Sequence, residues 1–230
     1  MMSTICLIRH GQASAHKADY DQLSELGYEQ SRAAGRALET LIPNPTAVWV
    51  GPCKRHRQTA EALLRERWPE PTWDVPFLDE FPAFELMTHG LDQLRQRRPD
   101  LIPEIDSING VLGSEGSSYA TVLQAITQEW VNGHLIDPRW MSGPDYIARL
   151  KKGLNEILSR PGRHILVTST GTIASLIGVT LDASPGRSIR CAWGLKNASF
   201  SFIRYNSLED RFLAAMNQVD HLSPQQQTYL

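Results

Sequence analysis

With 230 residues, 41% of them hydrophobic, and a formal net charge of −2, the chain has the size and composition of one sizeable folded domain, so disorder as its main state is excluded. The lack of a basic excess argues against nucleic acid as a partner, although a small anion needs only a few local positive groups. No apolar stretch approaches the roughly 20 residues that span a bilayer, so no membrane association is expected.

The predicted elements alternate from the start. Residues 4–8 are apolar and bounded by Gly11, which reads as a buried strand ending in a turn. The preceding Met1-Met2-Ser3-Thr4 has no basic n-region, so no signal peptide is expected. Ser24 is a candidate N-cap for a helix over residues 25–41, which sets Ala33, Ala34, Ala37, Leu38 and Leu41 on one face before Pro43 and Pro45 stop it. Residues 47–50 form a second apolar strand. Gly51-Pro52 ends it, and a helix over residues 55–68, with Ala60, Leu63 and Leu64 inward, is closed by Pro69 and Pro71. Strand, helix, strand, helix implies a parallel sheet with right-handed crossovers.

Residues 84–143 break this rhythm with charged runs, a Gly/Ser-rich stretch at 110–118 and an amphipathic run at 119–131. They read as a mostly helical insertion over one end of the sheet. Pro144 suits the first turn of a helix running to about Leu158. A strand at 165–168, a helix from about Thr172 and late strands at 200–204 and 212–216 follow. The polar residues 222–230 are expected to fray. The three cysteines, Cys6, Cys53 and Cys191, are scattered and odd in number, so they offer no metal cluster, and a reducing cytoplasm fits them best. Cys6 reads as a small buried hydrophobe.

Ligands of open parallel sheets bind beyond the carboxyl ends of the strands. There the first strand places Arg9, a fork of cationic donors, beside His10. The second strand leads to Arg55 at the start of a helix, where free N–H groups also favour an anion. Two arginines and an imidazole converging at adjacent strand ends point to phosphoryl chemistry.

In order, "LIRHGQ", "LSELGYEQSRAAGRAL", "GPCKRHRQTAEAL" and "LKNASFSFIRY" resemble the histidine phosphatase superfamily, also called phosphoglycerate mutase-like. The resemblance runs from residue 4 to about 205 and is weakest across 84–143. It implies a single three-layer α/β/α domain over residues 1–230, with a mixed, mainly parallel sheet. It implies a metal-independent, cofactor-free attack on phosphorus by His10, with Arg9 and Arg55 holding the phosphate oxygens. A carboxylic acid protonates the leaving oxygen in such proteins. Glu80 is the candidate and Asp79 the fallback. A small phosphorylated substrate is the implied partner, and a homodimer is compatible with the family.

The family's second pocket histidine is missing. Keeping Gly171-Thr172-Ile173 in register puts Ser169 at its position; anchoring on one glycine puts Thr170 there. Either way a neutral hydroxyl replaces a group able to carry positive charge. His16 could in principle reach the phosphate, though an exposed loop residue is the simpler reading, and His56 is expected to pack on its helix surface. Two functions therefore stand. One is a phosphatase acting on a small phosphomonoester, preferred over a mutase. The other is a phosphate-binding pseudoenzyme or interaction module with little turnover.

Overall fold

The computed structural model describes residues 2–14, 21–108 and 117–229. Its centre is a five-stranded sheet in the order β2-β3-β1-β4-β5. The strands are β1 (Ser3–Arg9), β2 (Ala47–Val50), β3 (Arg163–Thr168), β4 (Phe200–Tyr205) and β5 (Arg211–Gln218). β2, β3 and β1 run parallel, while β4 pairs antiparallel with β1 and β5 antiparallel with β4. The sheet is mixed as expected, with the parallel strands grouped where the site forms.

Both faces of the parallel strands are covered, which is why these strands read as continuous apolar runs. Alternation still sorts the side chains. Ile5, Leu7, Trp49 and Leu166 enter one core, while Cys6, Ile8, Val48, Val50, Ile165 and Val167 enter the other. The second core is closed by Ala33, Ala34 and Leu38 of α1 (Glu25–Leu41) and by Ala60 and Leu63 of α2 (Lys54–Leu63).

The larger core takes the remaining helices. The insertion supplies α3 (Ala83–His89), α4 (Leu91–Arg97), α5 (Ile102–Ser107) and α6 (Ser117–Val131). They are followed by α7 (Gly143–Leu158), α8 (Thr170–Thr180) and the short α9 (Pro185–Ser188). Trp130, Tyr146, Leu150, Leu154, Ile173 and Leu176 are buried between these helices and the sheet.

Local signals account for the helix starts. Ser24 caps α1 by accepting from the Gly27 N–H at 3.0 Å, and Ser142 caps α7 by accepting from Asp145 N–H, with proline in the first turn. The helix expected over 55–68 stops at Leu63. Its chain must turn back at once, because Thr72 exchanges backbone hydrogen bonds with Val48 and Val50 along the edge of β2.

Two expectations are corrected. The first and second strands are not neighbours, because β3 lies between them. The crossover from β1 through α1 to β2 leaves one strand position open, and a segment more than 100 residues later fills it. Nor does the described part of the tail fray. Leu222 is buried, and Gln30 Nε2 donates to the carbonyl of Gln226 at 2.6 Å and to Thr228 Oγ1 at 2.9 Å. Thr228 Oγ1 donates in turn to Asn197.

Candidate active site

The carboxyl ends of β1 and β3 and the first turn of α2 meet at one point. His10 leaves β1 with its N–H donated to the Thr168 carbonyl (3.0 Å), which fixes it beside the end of β3. The turn that follows is possible because Gly11 has no side chain. A Cβ there would lie 2.3 Å from the Gly27 carbonyl oxygen, so the start of α1 packs directly on the turn. Thr59 joins the two motifs: its Oγ1 accepts from the Gly11 N–H at 3.0 Å and donates to the Arg55 carbonyl at 2.7 Å.

His10 is buried, and its two ring nitrogens have different partners. Nδ1 lies 2.7 Å from the Gly11 carbonyl, which can only accept, so Nδ1 carries the hydrogen. Nε2 is left with its lone pair, which accepts from Arg55 Nε at 3.3 Å. Burial holds the His10 pKa well below its ordinary value, and Arg55, Arg9 and His56 add to the effect. The imidazole is therefore neutral, the state a nucleophile needs.

Arg55 reaches across the end of the intervening strand to do this, which is how the site forms although β1 and β2 are not adjacent. Its guanidinium also donates to Glu80 and to Asp21 (2.5 Å), with Ser169 Oγ at 3.5 Å. Asp21 additionally accepts from the backbone N–H of Lys54 (2.9 Å) and so caps α2. Asp21 was not foreseen: a lone acid in a loop carries no periodic signal. Arg9 is buried and donates to the Leu195 carbonyl, near enough to His10 to act on its charge.

Glu80 and Asp79 separate clearly. Asp79 Oδ1 accepts from the Glu80 N–H (2.8 Å), and its carbonyl accepts from Thr172 Oγ1 (2.9 Å) and Arg149 Nη2 (3.3 Å). Asp79 thus fixes the loop, and half-buried Glu80 faces Arg55. Cys53 Sγ lies 3.7 Å from Asp79 Oδ1, and burial pushes its thiol up to about 12, so it remains protonated.

Ser169 and Thr170 also diverge. Ser169 is buried beside Arg55, whereas Thr170 Oγ1 turns away to donate to the Ala192 carbonyl at 2.5 Å. His56 corrects the expectation of a surface residue. It is fully buried, with Nε2 2.6 Å from Ser169 Oγ and its ring centroid 5.7 Å from that of His10. The signal was present, since His56 lies one helical turn before the inward-facing Ala60. His16 lies outside the described residues.

Comparisons with known proteins bear on the fold and the family. The sequence matches the histidine phosphatase superfamily (branch 1) over residues 5–130. No curated protein matches it. Phosphoserine phosphatase from Entamoeba histolytica, solved with 3-phosphoglyceric acid, superposes with a TM-score of 0.65 at 16% identity, covering 96% of this chain and 100% of that one. YhfR from Bacillus stearothermophilus gives 0.65 at 17% identity, with the same coverages of 96% and 100%. A mycobacterial glucosyl-3-phosphoglycerate phosphatase solved with inorganic phosphate gives 0.63 at 20% identity, covering 96% of this chain and 99% of that one. At such identities the solved structures establish the fold, and the sequence match, which takes in more than half of the chain, establishes the family: this chain belongs to the histidine phosphatase superfamily, branch 1.

Proposed function

We propose that the protein is a metal-independent phosphatase that hydrolyses a small phosphomonoester through a phosphohistidine on His10. The observation that carries this reading is the pair of hydrogen bonds on His10. Its Nδ1 hydrogen is held by the Gly11 carbonyl, and its Nε2 lone pair faces Arg55 in a buried pocket. Arg9 and Arg55 bind the phosphoryl oxygens, with Ser169 Oγ against Arg55 at 3.5 Å. Nε2 attacks phosphorus as the phosphorus–oxygen ester bond breaks. Glu80, in its protonated form, gives its proton to the departing oxygen. The resulting carboxylate then takes a proton from water as that water attacks phosphorus, which releases phosphate and restores both groups.

A second reading, a phosphate-binding pseudoenzyme, draws support from Ser169. A neutral hydroxyl stands where the family's second histidine is expected, and Arg55 already has two carboxylate partners. The test is phosphate release from p-nitrophenyl phosphate and a panel of small phosphomonoesters by wild type and His10→Ala. Turnover that His10→Ala abolishes supports the phosphatase. Phosphate binding without turnover in wild type selects the pseudoenzyme. Turnover that survives His10→Ala overturns the proposed mechanism.

A further inference from the structure

The substitution at Ser169 is not isolated. The imidazole of His56 reaches the same hydroxyl from the opposite side of α2's first turn, with Nε2 2.6 Å from Ser169 Oγ. Room for the ring comes from Gly51, where a Cβ would lie 2.4 Å from His56 Nδ1. Ser169 Oγ is in turn 3.5 Å from Arg55 Nη2, and Arg55 Nε is 3.3 Å from His10 Nε2. A continuous line of polar atoms thus runs from His56 through Ser169 and Arg55 to His10. Burying an imidazole here is costly unless its hydrogen bond is used, and an aliphatic side chain would fill this volume more cheaply.

We propose that His56 and Ser169 together take the place of the missing second histidine, with His56 acting as a positioning residue through the Ser169 hydroxyl. The inference rests on the phosphatase reading for its chemistry and deepens it. A hydroxyl has a single hydrogen and rotates freely; without a partner it spends that hydrogen on the nearest acceptor. His56 Nδ1 lies against Gly51, whose carbonyl holds the ring hydrogen there, so Nε2 accepts from the Ser169 hydroxyl and the Ser169 oxygen turns its lone pairs to Arg55 Nη2. The imidazole thereby fixes an acceptor that aims the Arg55 guanidinium beside His10, where charge develops, which a mobile serine alone cannot do. It also occupies the volume a histidine at position 169 would enter, so Ser169→His alone is expected to clash, whereas the pair His56→Ala with Ser169→His relieves that clash.

The test is a double-mutant cycle on the full chain with His56→Ala, Ser169→Ala and the double variant, plus His56→Gln, whose amide oxygen can accept from about the position of Nε2. Turnover of p-nitrophenyl phosphate and the dissociation constant of inorganic phosphate are both measured, with thermal melting as a control on folding. Each alanine variant is expected to lose about 10- to 100-fold in kcat/KM and to weaken phosphate binding. The double variant should fall within about threefold of the worse single one, because the two side chains act as a unit. His56→Gln should recover most of the loss. Losses that multiply overturn the proposal, as does His56→Gln behaving like alanine or His56→Ala leaving both quantities unchanged. If His56→Ala does not fold, the cycle is run from His56→Gln, where Ser169→Ala must cost as much as in wild type. A protein without turnover whose phosphate binding still shows the coupling overturns the phosphatase reading and keeps the His56–Ser169 unit. Normal turnover with uncoupled losses does the reverse, and a wild type that neither turns over nor binds phosphate overturns both.

Discussion

Glu80 is paired with the same guanidinium, that of Arg55, that faces Nε2 of His10. In the proposed mechanism a phosphoryl group entering the site competes with Glu80 for Arg55, and the carboxyl group freed from the guanidinium is the one that, once protonated, meets the leaving oxygen. Glu80→Gln removes both the competitor and the acid. It should bind inorganic phosphate about three- to tenfold more tightly while losing about 10²- to 10⁴-fold in kcat. The loss should be smallest for p-nitrophenyl phosphate, whose leaving group needs little protonation, and largest for alkyl esters. Equal losses across leaving groups would remove Glu80 from the acid role.

Arg55 binds through geometry as well as charge, since separate nitrogens of its planar fork meet His10, Asp21 and Glu80. Arg55→Lys keeps the charge and loses the fork. We expect it to cost about 10²- to 10³-fold in kcat/KM for p-nitrophenyl phosphate. A variant within a few-fold of wild type would show that charge alone suffices.

Gly11→Ala places a methyl group 2.3 Å from the carbonyl oxygen of Gly27. That backbone cannot yield without moving α1 off the turn that carries His10. The variant should lose about 1–3 kcal/mol of stability, read as a fall of several degrees in Tm, and should lose activity beyond what the fraction unfolded explains. An unchanged Tm would mean that the turn and helix are not held this closely.

Burial lowers the pKa of His10 and of His56 below 6.5, so the folded state refuses protons that the unfolded chain accepts. The stability these groups contribute is present above about pH 6.5 and is lost as the pH falls below it. Each contributes about 1.4 kcal/mol per pH unit while only the unfolded form is protonated. Denaturant midpoints measured between about pH 7.5 and about pH 5.5 should fall, and His56→Gln should flatten the slope by one proton's share. A slope unaltered by His56→Gln would show that this imidazole accepts its proton in the folded state.

Patterning along the chain was enough for the strands and for the Ser24 cap, because each depends on neighbours within a few residues, whereas the approach of Arg55 to His10 was expected from adjacent strand ends and instead spans the end of β3. The place of β3 between β1 and β2 was not legible, since three parallel apolar strands fit a sheet in several orders and nothing local selects one. The burial of His56 was legible only from its place four residues before the inward-facing Ala60, on the same face of α2. The tail was missed because polar side chains dock it: Gln30, Asn197 and Thr228 hold it by hydrogen bonds that hydrophobic patterning does not register.

The position of β3 in the sheet carries a consequence for biosynthesis. His10 and Arg55 emerge from the ribosome early, yet the strand that joins their halves of the sheet, residues 163–168, is made after the whole insertion. Until then β1 and β2 have no shared partner, and each presents open edges. The nascent chain must therefore hold the two halves of its candidate site apart for more than a hundred residues of synthesis, and a chain released early is exposed to aggregation before its sheet can close.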